Sequence, residues 1–485
     1  MDTTAAIPPI NLTNCETEPI CYTGAVQPHG ALLVLDSLSG LIEAASESCQ
    51  TLMGLSPRVL LGQSLSKVFG QGAQAALLSG MVGSTQAWVP LLVNGQTFSA
   101  RPHLNSAGQQ LIDIEPCPSH DSQMTALTYR YRQGVEALSC LGDVLTVAQG
   151  ASELIRELTG FDQVMIYRFD AQWNCEVIAE AKAEGVEPYL GLNFPASDIP
   201  KQARELFRLC RVRLIPDVNY TPSALLTKGD ARSIDLGLSN LRSVSSMHIE
   251  YLQNMGARAT LVGALVVEDQ LWGLVSCQQK HEPKYFNQAE RDVLSWLCRD
   301  IAGLIESRAV RERCDLEHSL AQRRSKLIDA VRANEFNALI RHENNSDLLK
   351  VVGADGFALL VDDAIQVTGI TPAVSRIMAL YQRRLLVEPQ STLFATSALC
   401  SDLGVEPVED GVAGALFVSV LRKPVVTMIW FRRERRHIVS WGGDPQHPHF
   451  ADEQGRMSPR KSFESHGSLI SRASSSDSAC PLNPW

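Results

Sequence analysis

One run constrains this chain more than any other. From Gln288 to Ala333 there is no proline and one glycine, Gly303. Residues 293, 294, 297, 301, 304 and 305 are apolar, and that spacing gathers them on one face of an α-helix. Asn287 and Glu290 make a capping pair at its start. So long a helix rarely lies within one compact domain; it joins two domains as a spine, or pairs with a copy of itself. A chain of 485 residues has room for about three domains.

The chain on either side of this helix reads as alternating strands and helices. Residues 1–22 are Pro/Asn/Thr-rich and form an extended arm. ALLVLD and LIEAAS are strands around Gly40, and short strands continue to about Pro118. A helical stretch over 124–158 opens the next region, followed by the strand Val164–Asp170 and a Pro-punctuated connection, GLNFPASDIP (191–200). ATLVGALVV and LWGLVSC form a hairpin about Glu268-Asp269-Gln270. After the long helix, strands and helices alternate again; TMIWFRRERRHIVSWGG is strand-like, and 465–479 is Ser-rich.

Composition narrows the function classes. Hydrophobic residues are 45 % and charged residues 20 %, enough for sizeable cores. The net charge of −10 argues against broad nucleic-acid binding. The N-terminal stretch lacks the charged and apolar regions of a signal peptide, and no run reaches the ~18 apolar residues of a membrane span. The cysteines show no CxxC pair and no zinc spacing, so no metal site is expected and a reducing cytoplasm is the simplest setting.

Taken singly, the polar residues that stand out have ordinary explanations. Asp198 suits a turn or helix N-cap, His248 a satisfied core histidine, Arg213 and Arg242 surface charges, and Cys15 an inert thiol with no base beside it. Their combination discriminates. NCETEP, AVQPHGALL, MIYRFD, FPASDIP, RSVSSMHIEYLQNMG, LWGLVSC and SPRKSF occur in this order from residue 14 to residue 463. Together they resemble the PAS-GAF-PHY photosensory core of bacteriophytochromes, red/far-red photoreceptors that carry biliverdin.

The resemblance implies an α+β fold of tandem domains: an arm at 1–22, PAS at 23–122, GAF at 123–310, and PHY at 311–485 with a tongue at about 427–464. It also implies a figure-eight knot between arm and GAF domain, and a homodimer formed through the helices. Cys15 matches the cysteine that forms a thioether with the biliverdin A-ring side chain. Cys21 is a competing thiol, but the attachment site of the motif precedes Glu-x-Glu-Pro, and Met247 stands where plant and cyanobacterial relatives attach a reduced bilin. Asp198 matches the aspartate at the pyrrole nitrogens, whose carboxylate would stabilise a bilin cation. His248 matches the histidine beside the pyrrole water. Arg213 and Arg242 match the propionate clamps, a role that suits the guanidinium fork. Tyr167 and Tyr251 match aromatics near the D-ring, Ser245 and Thr260 hydroxyls near the C-ring propionate, and Ile199 and Pro200 residues packed over the rings. Arg460 matches the tongue arginine that reaches the GAF aspartate, here Asp198. The tongue sequence suits strand and helix alike, as a two-state element requires.

The sequence departs from the pattern in places. Gln278 stands where a histidine usually binds the D-ring carbonyl; glutamine donates a hydrogen bond but cannot become charged. Phe207 replaces a common pocket tyrosine, Ser246 a common proline, and the stretch after Phe463 lacks the usual return helix. No kinase, nucleotide-binding or cyclase signature is present, so no catalytic residue is expected. Competing readings are a bilin-binding protein with weak photoconversion, and a GAF-containing enzyme or cyclic-nucleotide sensor. No metal-ligand cluster or acid/base pair supports the enzyme, and the cyclic-nucleotide sensor has no use for Cys15, Arg460 or a tongue.

Overall fold

The structure, a computed structural model, describes residues 18–82, 88–117, 121–333, 345–362, 364–389, 391–406, 411–422, 425–444, 449–451, 457–459, 461–463 and 465–473. Its contacts separate into two units, Met1–Arg308 with Ser440–His466, and Ala309–Val439 with Gly467–Trp485. Cys15 and Arg460 lie outside the described residues.

The first unit contains two sheets. One is built from β1 (Ala25–Val26), β2 (Ala31–Leu35), β3 (Ile42–Ser46), β4 (Val89–Val93), β5 (Gln96–Leu104) and β6 (Gln110–Pro116), with α1 (Ser48–Met53), α2 (Pro57–Leu60), α3 (Leu65–Phe69) and α4 (Gln71–Val82) between β3 and β4. Leu33, Leu35, Phe98 and Ile112 form its core with Met53 and Leu77 of these helices. A strand from much later in the chain, β11 (Ser223–Thr227), enters this sheet between β1 and β3. Around it, residues 20–27 are bonded to the 223–243 segment: Leu236 N–H donates to Cys21 O at 2.8 Å, Gln27 N–H to Leu241 O at 2.7 Å and Ser243 N–H to Ala25 O at 3.1 Å.

The second sheet carries the site. Its order is β10 (Val212–Ile215), β12 (Ala259–Val267), β13 (Gln270–Gln279), β7 (Gln163–Phe169), β8 (Cys175–Lys182) and β9 (Asn193–Phe194). Alternation along the strands sorts their side chains between two faces. Val164 and Ile166 of β7, Leu261 and Leu265 of β12, and Val275 and Cys277 of β13 join one core with α5 (Asp121–Ser139), α6 (Val144–Thr159) and α9 (Gln288–Arg332). Met165 and Tyr167, Ala264, and Leu271 and Leu274 join another on the opposite face. The stretch expected as one helix over 124–158 is two helices, because Asp143 caps α6 by accepting from Thr146 N–H at 2.9 Å. The β12–β13 hairpin turns on Glu268 and Asp269, both left-handed (φ 48° and 59°), with Gln270 already paired to Val267; a two-residue turn of this hand follows the twist of the strands.

The long helix forms as its sequence directs. Asn287 and Glu290 cap α9 reciprocally, Asn287 N–H donating to Glu290 Oε2 at 2.8 Å and Glu290 N–H to Asn287 Oδ1 at 3.1 Å. Leu294, Leu297, Ile301 and Ile305 are buried on its inner face.

In the second unit, α10 (Asn345–Lys350), α11 (Val374–Val387) and α12 (Leu399–Leu403) accompany a sheet ordered β15 (Ala364–Gly369), β14 (Gly356–Val361), β18 (Val425–Gly442), β17 (Val412–Arg422) and β16 (Leu393–Thr396). Ile377 and Leu380 of α11 pack with Phe417, Ile429 and Phe431 on one face. Trp430 fills the other, its indole N–H donating to Leu348 O at 3.0 Å. Of the expected tongue, 427–442 is the remainder of β18, β19 (His449–Ala451) pairs with β20 (Met457–Pro459), and 443–444 and 461–463 lie in no strand; β21 (Ser465–Ala473) follows it.

Candidate functional site

The pocket lies on the face of the second sheet away from the long helix. Sheet register decides which side chains reach it. Thr260 pairs with Gln278 across β12–β13, and Ser276 and Leu274 follow Gln278 at two-residue steps; all of them line the pocket with Tyr167. Two helices close it. The chain after β9 makes a short 3-10 turn, Ala196–Asp198, then α7 (Lys201–Leu209) starts behind Pro200, a residue well suited to a helix start. This delivers Asp198, Ile199, Pro200 and Phe207 to one wall. The α8 helix (Ser246–Asn254) delivers Ser245, His248 and Tyr251 to another. Every described residue proposed for the site, Arg213 and Arg242 included, lines this one cavity.

Electrostatics gives the cavity its character. Arg242 is buried; its Nη1 donates to Ile20 O at 2.5 Å. Burial, with Arg213 alongside, pushes its pKa down to about 9. Arg213 donates to Ser239 O at 2.5 Å. Arg213 Nη2 and Arg242 Nε are buried and meet no hydrogen-bond partner among the described residues. Two guanidinium groups thus meet at an otherwise largely apolar cavity with donors to spare, which costs free energy unless an anion completes them. His248 is exposed towards the cavity, yet the protein packed round it and Arg242 hold its pKa down to about 4, so its imidazole is neutral near pH 7. It stacks on Tyr251 at 6.1 Å, and Tyr251 Oη donates to Asp198 Oδ2 at 3.0 Å.

Sequence reasoning did not single out several neighbours. Glu18 accepts from Ser245 Oγ at 2.8 Å, and burial raises its pKa; it sits in the same NCETEP motif as Cys15. Phe463, from the SPRKSF block, is buried edge-on to Tyr251 at 5.1 Å, and Pro459 lines the pocket beside it. The same segment is anchored where Trp441 pairs with Asn193 and Asn193 Nδ2 donates to Ser440 O at 3.3 Å. Among the described residues, no group of His, Cys, Asp or Glu could hold a metal ion, and no helix is long and apolar enough to cross a membrane. The residues present fit a mostly apolar ligand carrying carboxylates.

Three family models match in tandem: PAS fold over residues 15–117, GAF domain over 143–305 and phytochrome region over 320–476. A bacteriophytochrome of Xanthomonas campestris is 36 % identical over 487 residues, covering 94 % of this chain and 74 % of its own length. The chain belongs to the phytochrome family. A cyanobacterial phytochrome B of Nostoc is 34 % identical over 476 residues, with 94 % of this chain and 62 % of that protein covered; the chain therefore spans about two thirds of the length of such relatives. The crystal structure of a bacteriophytochrome from R. palustris superposes with a TM-score of 0.78 at 30 % identity, covering 96 % of this chain and 95 % of that one. The phytochrome photosensory core module of Stigmatella aurantiaca gives 0.77 at 31 % identity, with the same coverage. This phytochrome chain corresponds to the PAS-GAF-PHY photosensory core.

Proposed function

We propose that this chain is a red/far-red light sensor that binds biliverdin IXα in the GAF pocket, joined through a thioether to Cys15. The observation that carries the reading is the pair of half-buried Arg213 and buried Arg242 at an apolar cavity, each with an N–H that meets no acceptor among the described residues. Bound there, the bilin would supply a light-driven Z/E isomerisation about its D-ring bridge. The chain's residues do the rest. Arg213 and Arg242 clamp the propionates, with Ser245 and Thr260 beside them. Asp198 and the neutral His248 surround the pyrrole nitrogens, stabilising a cation and exchanging its proton. Ile199 and Pro200 pack over the rings, and Tyr167, Phe207, Tyr251 and Gln278 bound the D-ring end.

The signal would leave through the tongue. Arg460 pairs with Asp198 in one state; when the D-ring contacts change, that pair breaks, the segment at about 427–464 refolds between strand and helix, and the long helix transmits the change to a homodimer partner. Gln278 and Phe207 favour an atypical photoproduct, and a bilin-binding protein with weak switching is the second reading.

Covalent attachment is tested by loading the chain with biliverdin and denaturing it in acid. The pigment should stay with the wild-type chain and leave Cys15→Ser. Pigment retained by Cys15→Ser would place the bond elsewhere.

A further inference from the structure

Gln278 carries a carboxamide whose two ends differ only in what they can bond: the oxygen accepts and the nitrogen donates. Left alone in a pocket wall, such a group can face either way. Here a neighbour decides. Lys280 follows two residues later on the same side of the chain, and its Nζ lies 2.7 Å from Gln278 Oε1. An ammonium has donors only, so the atom it meets must be the oxygen. The nitrogen is left pointing the other way, 3.8 Å from Met255 Sδ, itself a pocket-lining residue.

The lysine is held in place. Its backbone N–H donates to Asp162 Oδ2 at 2.9 Å, its Nζ approaches Met255 O at 3.5 Å, and its ammonium stands 5.7 Å from the centre of the Tyr189 ring. Burial lowers its pKa to about 8, against the pull of Asp162 and Glu180, so it still carries its charge near pH 7.

We infer that Lys280 is a positioning residue for the pocket: it fixes the Gln278 carboxamide with its N–H groups turned into the cavity, as a donor for a ligand carbonyl. The inference rests on the reading of the cavity as a bilin pocket for the identity of that carbonyl, but the orientation itself is a property of the ligand-free chain. Lysine thus gives glutamine a fixed polarity that its own chemistry lacks, and the pocket selects ligands with an acceptor at this wall.

The test uses the full chain in two arms. In the ligand-free protein labelled with 15N-glutamine, the Gln278 side-chain amide is assigned by its loss in Gln278→Leu. One sharp pair of resonances should appear in the wild type and in Lys280→Arg, and a broadened or doubled pair in Lys280→Met, which keeps the aliphatic stem. Identical resonances in wild type and Lys280→Met would overturn the inference. In the biliverdin-loaded protein, Lys280→Met should change the rate of dark reversion at least threefold, in the direction Gln278→Leu does, with no further change in the double variant and with recovery in Lys280→Arg. Additive effects in the double variant would overturn the coupling. If the wild type takes up no pigment, the bilin reading falls and the resonances alone decide the orientation.

Discussion

Two buried arginines in the same unit, Arg291 and Arg242, have opposite surroundings. Arg291, at the start of α9, donates to Glu115 Oε1 and Gln288 Oε1 at 2.5 Å and to Phe286 O at 2.6 Å. Tyr285 Oη completes the carboxylate at 3.0 Å. Burial opposes the charge on Arg291, but Glu115 and Tyr285 outweigh it and its pKa is raised. Arg242 is nearly as buried, faces Arg213, keeps an Nε without an acceptor, and is pushed down to about 9. The first arrangement is finished within the protein and ties β6 to the long helix. The second is unfinished among the described residues, and on the proposed function a ligand with carboxylates would complete it. Burial of a charge is the same in both; the difference between structure and function is whether its partner is in the chain.

The largest effect should come from breaking the finished site. Glu115→Ala leaves Arg291 charged and unpaired in the interior and should cost about 3–5 kcal/mol of stability, read by chemical denaturation of the ligand-free chain. A loss below about 1 kcal/mol would remove the contrast. Arg242→Met should behave in the reverse way. The ligand-free chain loses chiefly the hydrogen bond to Ile20 O, about 1 kcal/mol, while biliverdin affinity should fall roughly tenfold or more, as expected for a charged hydrogen bond. Unchanged affinity would mean that the pocket arginines do not bind the pigment.

Acid should act on both sites. His29, beside Glu115, and His248, in the pocket, are each lowered from 6.5 to about 4 chiefly by the protein packed round them. Unfolding lets them take up protons sooner, so the stability they contribute is complete above about pH 6.5 and is lost as pH falls through 4. Denaturation at pH 7, 5.5 and 4.5 should show that slope, and His29→Gln and His248→Gln should each flatten it in part. A slope untouched by both would assign it to other groups. The smallest effect on stability is expected from Gln278→His, which should leave unfolding unchanged and move the photoproduct band toward that of histidine-bearing relatives. No movement would leave the D-ring end of the pocket without its proposed contact.

Much of this was legible in the sequence, for local reasons. The helix from Gln288 shows in its spacing and in the Asn287–Glu290 cap, and the β12–β13 hairpin shows in its two apolar runs about Glu268 and Asp269. What escaped is what only the folded chain brings together. Nothing near Ser223–Thr227 says that it will enter a sheet begun at residue 25. Glu115 and Arg291 are 176 residues apart, and neither belongs to a motif. Lys280 belongs to no motif, and only the 2.7 Å contact to Gln278 gives it a role. Where the pairing is a sequence neighbour, pattern reveals it; where the chain must first close, it does not.

The most direct measurement is an absorption spectrum of the purified chain mixed with biliverdin, taken in the dark and then after red and far-red light. A strong red or far-red band that shifts with one colour and returns with the other is the outcome that a completed arginine pair and a switching tongue require. A band that forms and stays fixed, or no band at all, would contradict the assignment of this chain as a photoswitching receptor.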